Sequence, residues 1–166
     1  MTDLAALYTR YAADVLRFVL YLSGNREDAA DITSETFVRA WTSPEPIRMA
    51  TVKGYLFTIA RNLYLQGLRR GRRQVPLPEE LLDPAAGPAA RAERRSEMEV
   101  ALAGLQRLAE LDRAALLMRA VDELPYEEIA RALGLTPAAT RVRVHRARRQ
   151  LIALRDAPPR AGSDDE

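Results

Sequence analysis

The chain has 166 residues, of which 48% are apolar and 29% charged, and its formal net charge is +2. This length suits one ordinary domain or two small ones. Because there is no cysteine and His145 is the single histidine, disulfides, thiol catalysis, zinc–thiolate centres and metal sites built from several histidines are excluded. Alanine, leucine, arginine and glutamate outweigh β-branched residues, so the composition predicts an all-α fold.

The N-terminal part of the chain has the pattern of three helices. Residues 3–22 repeat apolar side chains at helical spacing, which predicts a first amphipathic helix. Asn25 can cap a second helix, which should stop before Pro44 because proline cannot continue it. A third helix is predicted from Thr51 to near Gly71.

The sequence contains no pattern of a signal peptide or a membrane helix. Asp3, Arg10 and Asp14 place charges where a signal peptide would keep its apolar stretch, and no apolar run reaches the length of about 18 residues that a span needs. We therefore expect a cytoplasmic protein that does not contact the membrane.

A proline-rich segment divides the chain. Residues 76–90 contain several prolines and Gly87, which are too many helix breakers for a packed element. We therefore predict a flexible linker between one domain over 1–75 and a second over 91–156. Residues 157–166 have the composition of a disordered tail.

The second domain ends in the pattern of a helix-turn-helix. A short helix with Ile129 and Leu133 on its apolar face meets a turn at Gly134, and Thr136 can cap the helix that follows. This last helix should bury one narrow stripe and expose every other side chain. The predicted stripe consists of Val144, Ala147, Leu151 and Leu154.

The outward side of the last helix is cationic and carries no acidic partner at helical spacing. Its basic residues are Arg141, Arg143, His145, Arg146, Arg148 and Arg149. Like charges at this density repel one another unless they lie against a polyanion such as DNA. His145 has no carboxylate or nucleophile patterned around it, so we expect it to contact DNA and not to act in catalysis.

The third predicted helix offers a second surface that suits nucleic acid. Outside a buried stripe that includes Leu56 and Leu63, it mixes cations with aromatic and amide side chains. These outward residues are Lys53, Tyr55, Phe57, Arg61, Asn62, Tyr64, Arg69 and Arg70. Aromatic rings can stack on unpaired bases while arginines follow the phosphates. Aromatic residues at helical spacing suit a core equally well, so both interpretations of Tyr55, Phe57 and Tyr64 stay open.

The second predicted helix carries acidic residues on one face. Asp28, Asp31 and Glu35 lie at i, i+3 and i+7. A carboxylate metal site between helices would normally add histidines and a second acidic helix, so we expect a docking surface or a solvated face instead. Phe37 and Trp41 of the same helix suit the core, a docking surface, or both.

Three segments, in this order, resemble the extracytoplasmic-function (ECF) sigma factors of bacterial RNA polymerase. They are DITSETFVRAW, GYLFTIARNLYLQGLRRGRR and LPYEEIARALGLTPAATRVRVHRARRQL, and they resemble the conserved regions 2 and 4 of that family. The resemblance implies two small helical domains, one like region 2 over 1–75 and one like the region 4 helix-turn-helix domain over 91–156.

The resemblance also implies a function without catalysis or a cofactor. Such a protein binds core RNA polymerase, reads the −35 element as duplex DNA, and melts the −10 element to capture the non-template strand. An anti-sigma factor is expected as a further partner. The alternative that the sequence leaves open is a stand-alone helix-turn-helix transcriptional regulator.

The surfaces and the resemblance together assign residues to three roles. Core polymerase binding is expected of Asp28, Asp31, Glu35, Phe37 and Trp41. Binding of the −10 element is expected of Lys53, Tyr55, Arg61, Asn62, Arg69 and Arg70. Binding of the −35 element is expected of Thr136, Arg141, Arg143, His145, Arg146, Arg148 and Arg149.

Overall fold

The computed structural model describes residues 3–43, 51–71 and 87–156. Within these ranges the chain forms seven α-helices and no strand, which confirms the predicted all-α fold. The helices are α1 (Leu4–Ser23), α2 (Arg26–Thr42), α3 (Val52–Arg69), α4 (Pro88–Gln106), α5 (Glu110–Ala120), α6 (Tyr126–Leu133) and α7 (Pro137–Asp156).

Some of the predicted features fall outside the described residues. They are the loop that begins at Pro44, the predicted tail over 157–166 and most of the linker predicted over 76–90. The last part of that predicted linker is helical, because α4 begins at Pro88. Proline suits this first helical position, where its missing N–H would have no partner within the helix. No helix within the described ranges combines the length and the apolar character that a membrane span requires.

The predicted second and third helices begin at side-chain caps. Asn25 Oδ1 accepts the backbone N–H of Asp28 at 3.1 Å, and Thr51 Oγ1 accepts the N–H of Gly54 at 3.1 Å. A cap of this kind stabilises a helix by about 1 kcal/mol, because it satisfies a donor that the first turn leaves free.

Helices α1 to α3 pack around a stacked aromatic pair and form an N-terminal unit. The rings of Phe18 and Phe57 lie 4.4 Å apart between centroids, at an interplanar angle of 7°. Phe57 and Tyr64 are buried, so of the two interpretations that the sequence left open, the core interpretation is correct for these two residues. The physical reason is that α3 packs against α1 and α2 and also against α6, and a helix covered on several sides buries more than one stripe.

Helices α4 to α7 form a C-terminal unit, which contains the predicted helix-turn-helix in α6 and α7. Val144 and Ala147 are fully buried, as predicted, whereas Leu151 and Leu154 are only half-buried. Thr140 was expected to face outward, yet it is fully buried. Its hydroxyl donates to the carbonyl of Thr136 at 2.9 Å, so the buried polar group is satisfied within the helix itself.

The turn between α6 and α7 depends on Gly134, and we predict that replacing it destabilises the fold. Gly134 has φ 68° and ψ 35°, a left-handed conformation that costs a residue with a Cβ about 1–2 kcal/mol. Gly134→Ala should therefore lower the free energy of unfolding by about 1–2 kcal/mol, measured by urea denaturation. The matched control is Gly104→Ala, because Gly104 lies within α4 and a Cβ there would make only an ordinary contact, 3.4 Å from the side chain of Leu151. Equal effects of the two substitutions would contradict this account of the turn.

Candidate nucleic-acid interface

Helix α7 presents a cationic strip on the side away from the core. Val144 and Ala147 seal its inner side, where it packs against α5 and α6. Thr136 is exposed, and its hydroxyl oxygen accepts the N–H of Ala139 at 3.1 Å, so it caps the helix as predicted. The exposed basic side chains of the strip are Arg141, His145, Arg146, Arg148 and Arg149.

Two arginines of α7 share a buried acid, although the sequence pattern indicated an unpaired array. Arg143 Nη1 donates to Asp112 Oδ1 at 2.8 Å, and Arg146 Nη2 lies 3.1 Å from both carboxylate oxygens. Asp112 belongs to α5 and precedes these arginines by 31 and 34 residues. Pairing rules for a single helix therefore could not detect it, and the expectation is wrong for Arg143 and Arg146.

The environment of Asp112 keeps its carboxylate ionised. Burial alone would raise the pKa of Asp112, but the hydrogen bonds from Arg146 and Arg143 outweigh burial and hold the pKa below its ordinary value of 3.8. The side chains of Arg143 and Arg146 still keep 31% and 52% of their surface exposed. Each arginine therefore fixes α7 on α5 through one part of its guanidinium and leaves another part open to a phosphate.

Tyr126 fixes the direction of a third arginine of α7. Its ring lies 4.5 Å from the guanidinium carbon of Arg119 and 5.1 Å from that of Arg141. A cation over an aromatic face is stabilised by about 0.5–1 kcal/mol at an exposed site. The two contacts tie α5, α6 and α7 together beside the strip.

The residues of α3 that are predicted to bind the −10 element form two groups, which differ in exposure. Asn62, Arg69 and Arg70 are exposed, whereas Lys53 and Arg61 are half-buried and point toward acids of the C-terminal unit. The other aromatic candidates differ in the same way. Tyr55 is half-buried, and the burial of Phe57 and Tyr64 places both rings in the core.

Arg61 forms a two-pronged ion pair with Glu110 of α5. Its Nε and Nη2 atoms each lie 2.7 Å from a different oxygen of that carboxylate. The side chains of Arg61 and Glu110 are only 14% and 20% exposed, and paired hydrogen bonds between charged groups are the strong form of this contact. A guanidinium expected to hold a DNA phosphate thus holds a carboxylate of the same chain.

Glu128 of α6 is buried and caps the start of α3. Its Oε1 accepts the backbone N–H of Thr51 at 2.8 Å and also the Thr51 hydroxyl. A negative group at this place is favoured by the dipole of α3. Gly54 makes the approach possible, because a Cβ at that position would collide with the Glu128 carboxylate. Glu128 Oε2 is buried without a hydrogen-bond partner among the described residues.

Asp122, in the loop between α5 and α6, joins a third set of contacts. Its Oδ1 lies 3.2 Å from Arg17 Nη2 and 3.7 Å from Lys53 Nζ. Asp14 of α1 pairs with the same two cations, at 3.1 Å and 3.3 Å. Burial raises the pKa of Asp122, although Lys53 and Arg17 act to lower it.

These three sets of contacts join the two units with the same polarity of charge, and together we call them the latch. In each of them an acid of the C-terminal unit meets a cation or the helix start of the N-terminal unit. The latch consists of Arg61–Glu110, Thr51–Glu128 and Lys53–Asp122.

Sequence reasoning missed the acids of the latch and one buried arginine. The partners in the latch are separated by 49 residues in Arg61–Glu110 and by 77 in Thr51–Glu128, so no local spacing signals them. Arg113 is buried. Its Nη1 donates to the carbonyls of Leu105 and Gln106 at the end of α4 and of Leu108 just after it, and its Nη2 donates to the Tyr64 hydroxyl at 3.3 Å.

Helices α1 and α2 expose apolar side chains that no described element covers. Trp41 is 61% exposed and Val38 50%. Tyr8 of α1 is 49% exposed. Large apolar side chains exposed on neighbouring helices can form an interaction site.

The other candidates of α2 lie around these side chains. Phe37 is buried. Its ring packs edge-to-face against the ring of Tyr8, with 5.0 Å between the ring centroids. Asp31 and Glu35 are exposed, and Glu35 pairs with Arg39 at 3.2 Å. We call the exposed set the α2 patch. Its members are Tyr8, Asp31, Glu35, Val38 and Trp41.

Comparison with known proteins matches both units. The family models of sigma-70 region 2 and sigma-70 region 4 match residues 7–74 and 99–151. The chain is 32% identical over 157 residues to the ECF RNA polymerase sigma factor SigL of Mycobacterium tuberculosis, covering 88% of this chain and 85% of that protein. The chain belongs to the ECF sigma factors of RNA polymerase. Helices α1 to α3 are its region 2, and region 4 includes the helix-turn-helix.

Two further comparisons add a second ECF relative and a solved structure that has the same fold. The sigma factor is 38% identical over 150 residues to the ECF sigma factor SigE of Mycolicibacterium smegmatis, covering 87% of this chain and 58% of that protein's length. Its structure matches that of the sigma factor RpoE in complex with the anti-sigma factor NepR from Bartonella quintana. The TM-score is 0.74 at 22% identity, and the match covers 96% of this chain and 100% of the other.

Membership of the family favours one of the two functions that the sequence left open. ECF sigma factors are DNA-binding factors of transcription initiation, so the alternative of a stand-alone regulator is not favoured.

We predict that Asp112→Asn destabilises the sigma factor in a pH-dependent way. Loss of the charged hydrogen bonds to Arg143 and Arg146 should cost about 1.5–3 kcal/mol at neutral pH. Because the folded pKa lies below 3.8, the contribution of the carboxylate is present above pH 3.8 and is lost as the pH falls through the folded pKa. Urea denaturation of both proteins at a series of pH values measures the difference, which should shrink at acid pH.

The matched control for Asp112 is Asp156→Asn. Asp156 is an exposed acid whose side chain pairs with the neighbouring, exposed Arg155 at the end of α7, so we expect no measurable change in stability. A difference between wild type and Asp112→Asn that stayed constant as the pH fell would contradict the role given to the carboxylate.

Proposed function

We propose that this sigma factor binds core RNA polymerase and directs initiation at promoters whose −35 element is read by α7 and whose −10 element is melted and bound by α3. The observation that carries the proposal is the presence of a cationic strip on the second helix of a helix-turn-helix, in a chain whose other half matches sigma region 2. A helix of this kind enters the major groove, where its arginines contact base edges and phosphates.

The proposed docking site for the polymerase is the α2 patch together with Asp28. Exposed aromatic side chains are frequent energetic centres of protein interfaces, and Trp41 is 61% exposed, the largest value for a large apolar residue among the described residues of this unit. Phe37 acts from beneath, because its buried ring supports Tyr8. The acidic side chains would steer the patch toward a basic surface of the polymerase.

The proposed −10 site becomes complete only when the latch opens. Asn62, Arg69 and Arg70 are exposed in the closed form and can meet DNA first, and Tyr55 is half-buried near the start of the same helix. Lys53 and Arg61 become available when phosphates replace the carboxylates of Asp122 and Glu110 as their partners. Exchange of a carboxylate for a phosphate conserves the geometry that a guanidinium prefers.

Opening of the latch also frees the two units to reach separate DNA elements. We propose the division of labour that the sequence suggested, with a region 2 unit over 1–75 and a region 4 unit over 91–156, joined by the predicted linker over 76–90, whose last residues belong to α4. The free energy for strand separation comes from contacts with the polymerase and the phosphates, and bases flipped from the duplex are held by stacking and hydrogen bonds. The sigma factor itself forms and breaks no covalent bond, needs no cofactor, and acts in the cytoplasm, where promoters and polymerase meet.

An anti-sigma factor is the further partner that we propose. The matching RpoE structure is a complex with the anti-sigma factor NepR. A protein that binds the closed form across both units would hold the latch shut and thereby keep Lys53 and Arg61 away from DNA.

Transcription on a promoter library with purified core polymerase tests the proposed function. We expect start sites that appear only when the sigma factor is added and that share an upstream and a downstream element. Trp41→Ala should weaken activation by about 10-fold or more at limiting sigma factor, and excess sigma factor should restore it, because affinity for the polymerase is what changes.

The matched control for Trp41 is Val100→Ala. Val100 lies on α4 and is 66% exposed, so its replacement should leave transcription unchanged. Tight binding of duplex DNA by the chain alone, with no new start site, would contradict the proposal. It would support the alternative function of a stand-alone transcriptional regulator.

A further inference from the structure

Val142 is an apolar side chain in the middle of the cationic strip of α7. It is 61% exposed, whereas Thr140 and Val144, two positions before and after it in the sequence, are fully buried. It lines a shallow surface hollow together with polar and basic neighbours. These neighbours are Arg141, His145, Arg146, Arg149 and Gln150.

The position and shape of Val142 suit contact with the floor of a groove. Helix α7 begins at Pro137, so Val142 lies in its second turn, and the N-terminal residues of a recognition helix are those that contact base edges. Valine is β-branched, and in a helix it adopts one strongly preferred rotamer. Its two methyl groups are therefore presented in a fixed direction, with little entropy left to lose on binding.

The chemistry of the major groove offers one kind of partner to such a side chain. Valine can neither donate nor accept a hydrogen bond, and the apolar feature that B-DNA displays in the major groove is the C5-methyl group of thymine. The surrounding guanidiniums favour DNA over an apolar protein surface, because burial of these cations against an apolar partner would leave them without counter-charges.

We propose that Val142 contacts the C5-methyl group of a thymine in the −35 duplex and so selects a T·A pair at one position of the element. This inference rests on the proposed function of α7 as the helix that reads the −35 element. Val142 then adds base specificity to a strip whose arginines supply most of the affinity through phosphates.

Replacement of thymine by uracil tests the proposal, because uracil keeps the pairing edge and lacks only the methyl group. The probes are promoters obtained from the transcription library, with each −35 thymine replaced singly by deoxyuridine. Binding of the holoenzyme is measured at fixed salt. The expected result is about 4-fold weaker binding at one position, the change that corresponds to ~0.8 kcal/mol for one buried methyl group. With Val142→Ala, thymine and uracil should bind equally well at that position.

Ile152→Ala is the matched control variant. Ile152 is also an exposed aliphatic residue of α7, 52% exposed, but it lies near the end of the helix. This variant should keep the discrimination between thymine and uracil. Val142→Ala should fold normally, since alanine favours the helix and the replaced side chain is exposed.

The possible failures are distinguishable. If no single uracil weakens wild-type binding while Arg149→Ala still weakens binding of the −35 duplex, the thymine contact is wrong and the role of α7 stands. If Val142→Ala keeps the same sensitivity to uracil, another residue reads the methyl group and the proposal is overturned. If binding is independent of the −35 sequence altogether, the proposed function of α7 fails as well.

Discussion

A buried carboxylate at the start of α3 is the contact on which the arrangement of the two units depends. Removing a charge from water costs several kcal/mol unless hydrogen bonds replace the lost hydration. For Glu128 these bonds come from the N–H and hydroxyl of Thr51, at the favourable end of the dipole of α3. The contact needs a residue without a side chain at Gly54, and it leaves Oε2 of Glu128 without a partner among the described residues. Closure is therefore stabilised by a contact whose acid regains water when the units separate, so a competing partner can open it.

The rest of the latch follows the same electrostatic logic. Glu110 pairs with Arg61 and Asp122 pairs with Lys53, and both cations are proposed to bind the −10 DNA. Carboxylates of region 4 therefore take the positions that DNA phosphates would occupy. The recognition helix is built differently. Asp112 holds Arg143 and Arg146 from within region 4, and it leaves the outer side of α7 open in the closed form. Closure therefore restrains the surface proposed to bind the −10 element and leaves most of the surface proposed to bind the −35 element accessible.

Local signals in the sequence predict the helices and the outward strip well, because caps, glycine turns and apolar periodicity act over a few residues. Asn25, Thr51 and Gly134 mark helix boundaries for this reason. The same signals fail where tertiary packing decides. Phe57 and Tyr64 are buried because α3 has neighbours on several sides.

The contacts between the units could not be predicted from the sequence for a related reason. Arginines that look unpaired along α7 find Asp112 on another helix. The sequence pattern places Lys53 and Arg61 on the polar side of α3, but their partners Asp122 and Glu110 lie far along the chain. Periodicity indicates which side of a helix is polar and does not indicate which polar side meets another.

The distance between the two units, measured with and without the polymerase, tests the central claim that the latch must open for initiation. The chain has no cysteine, so spin labels react only with cysteines that are introduced. We would introduce them as Ala13→Cys on α1 and Arg131→Cys on α6, which are both exposed positions. In the free sigma factor, pulsed electron paramagnetic resonance should give a short distance that matches the closed form. Addition of Gly54→Ala should shift part of the population to longer distances, and binding to core polymerase and promoter should shift all of it. An unchanged short distance in a complex that initiates transcription would contradict the account.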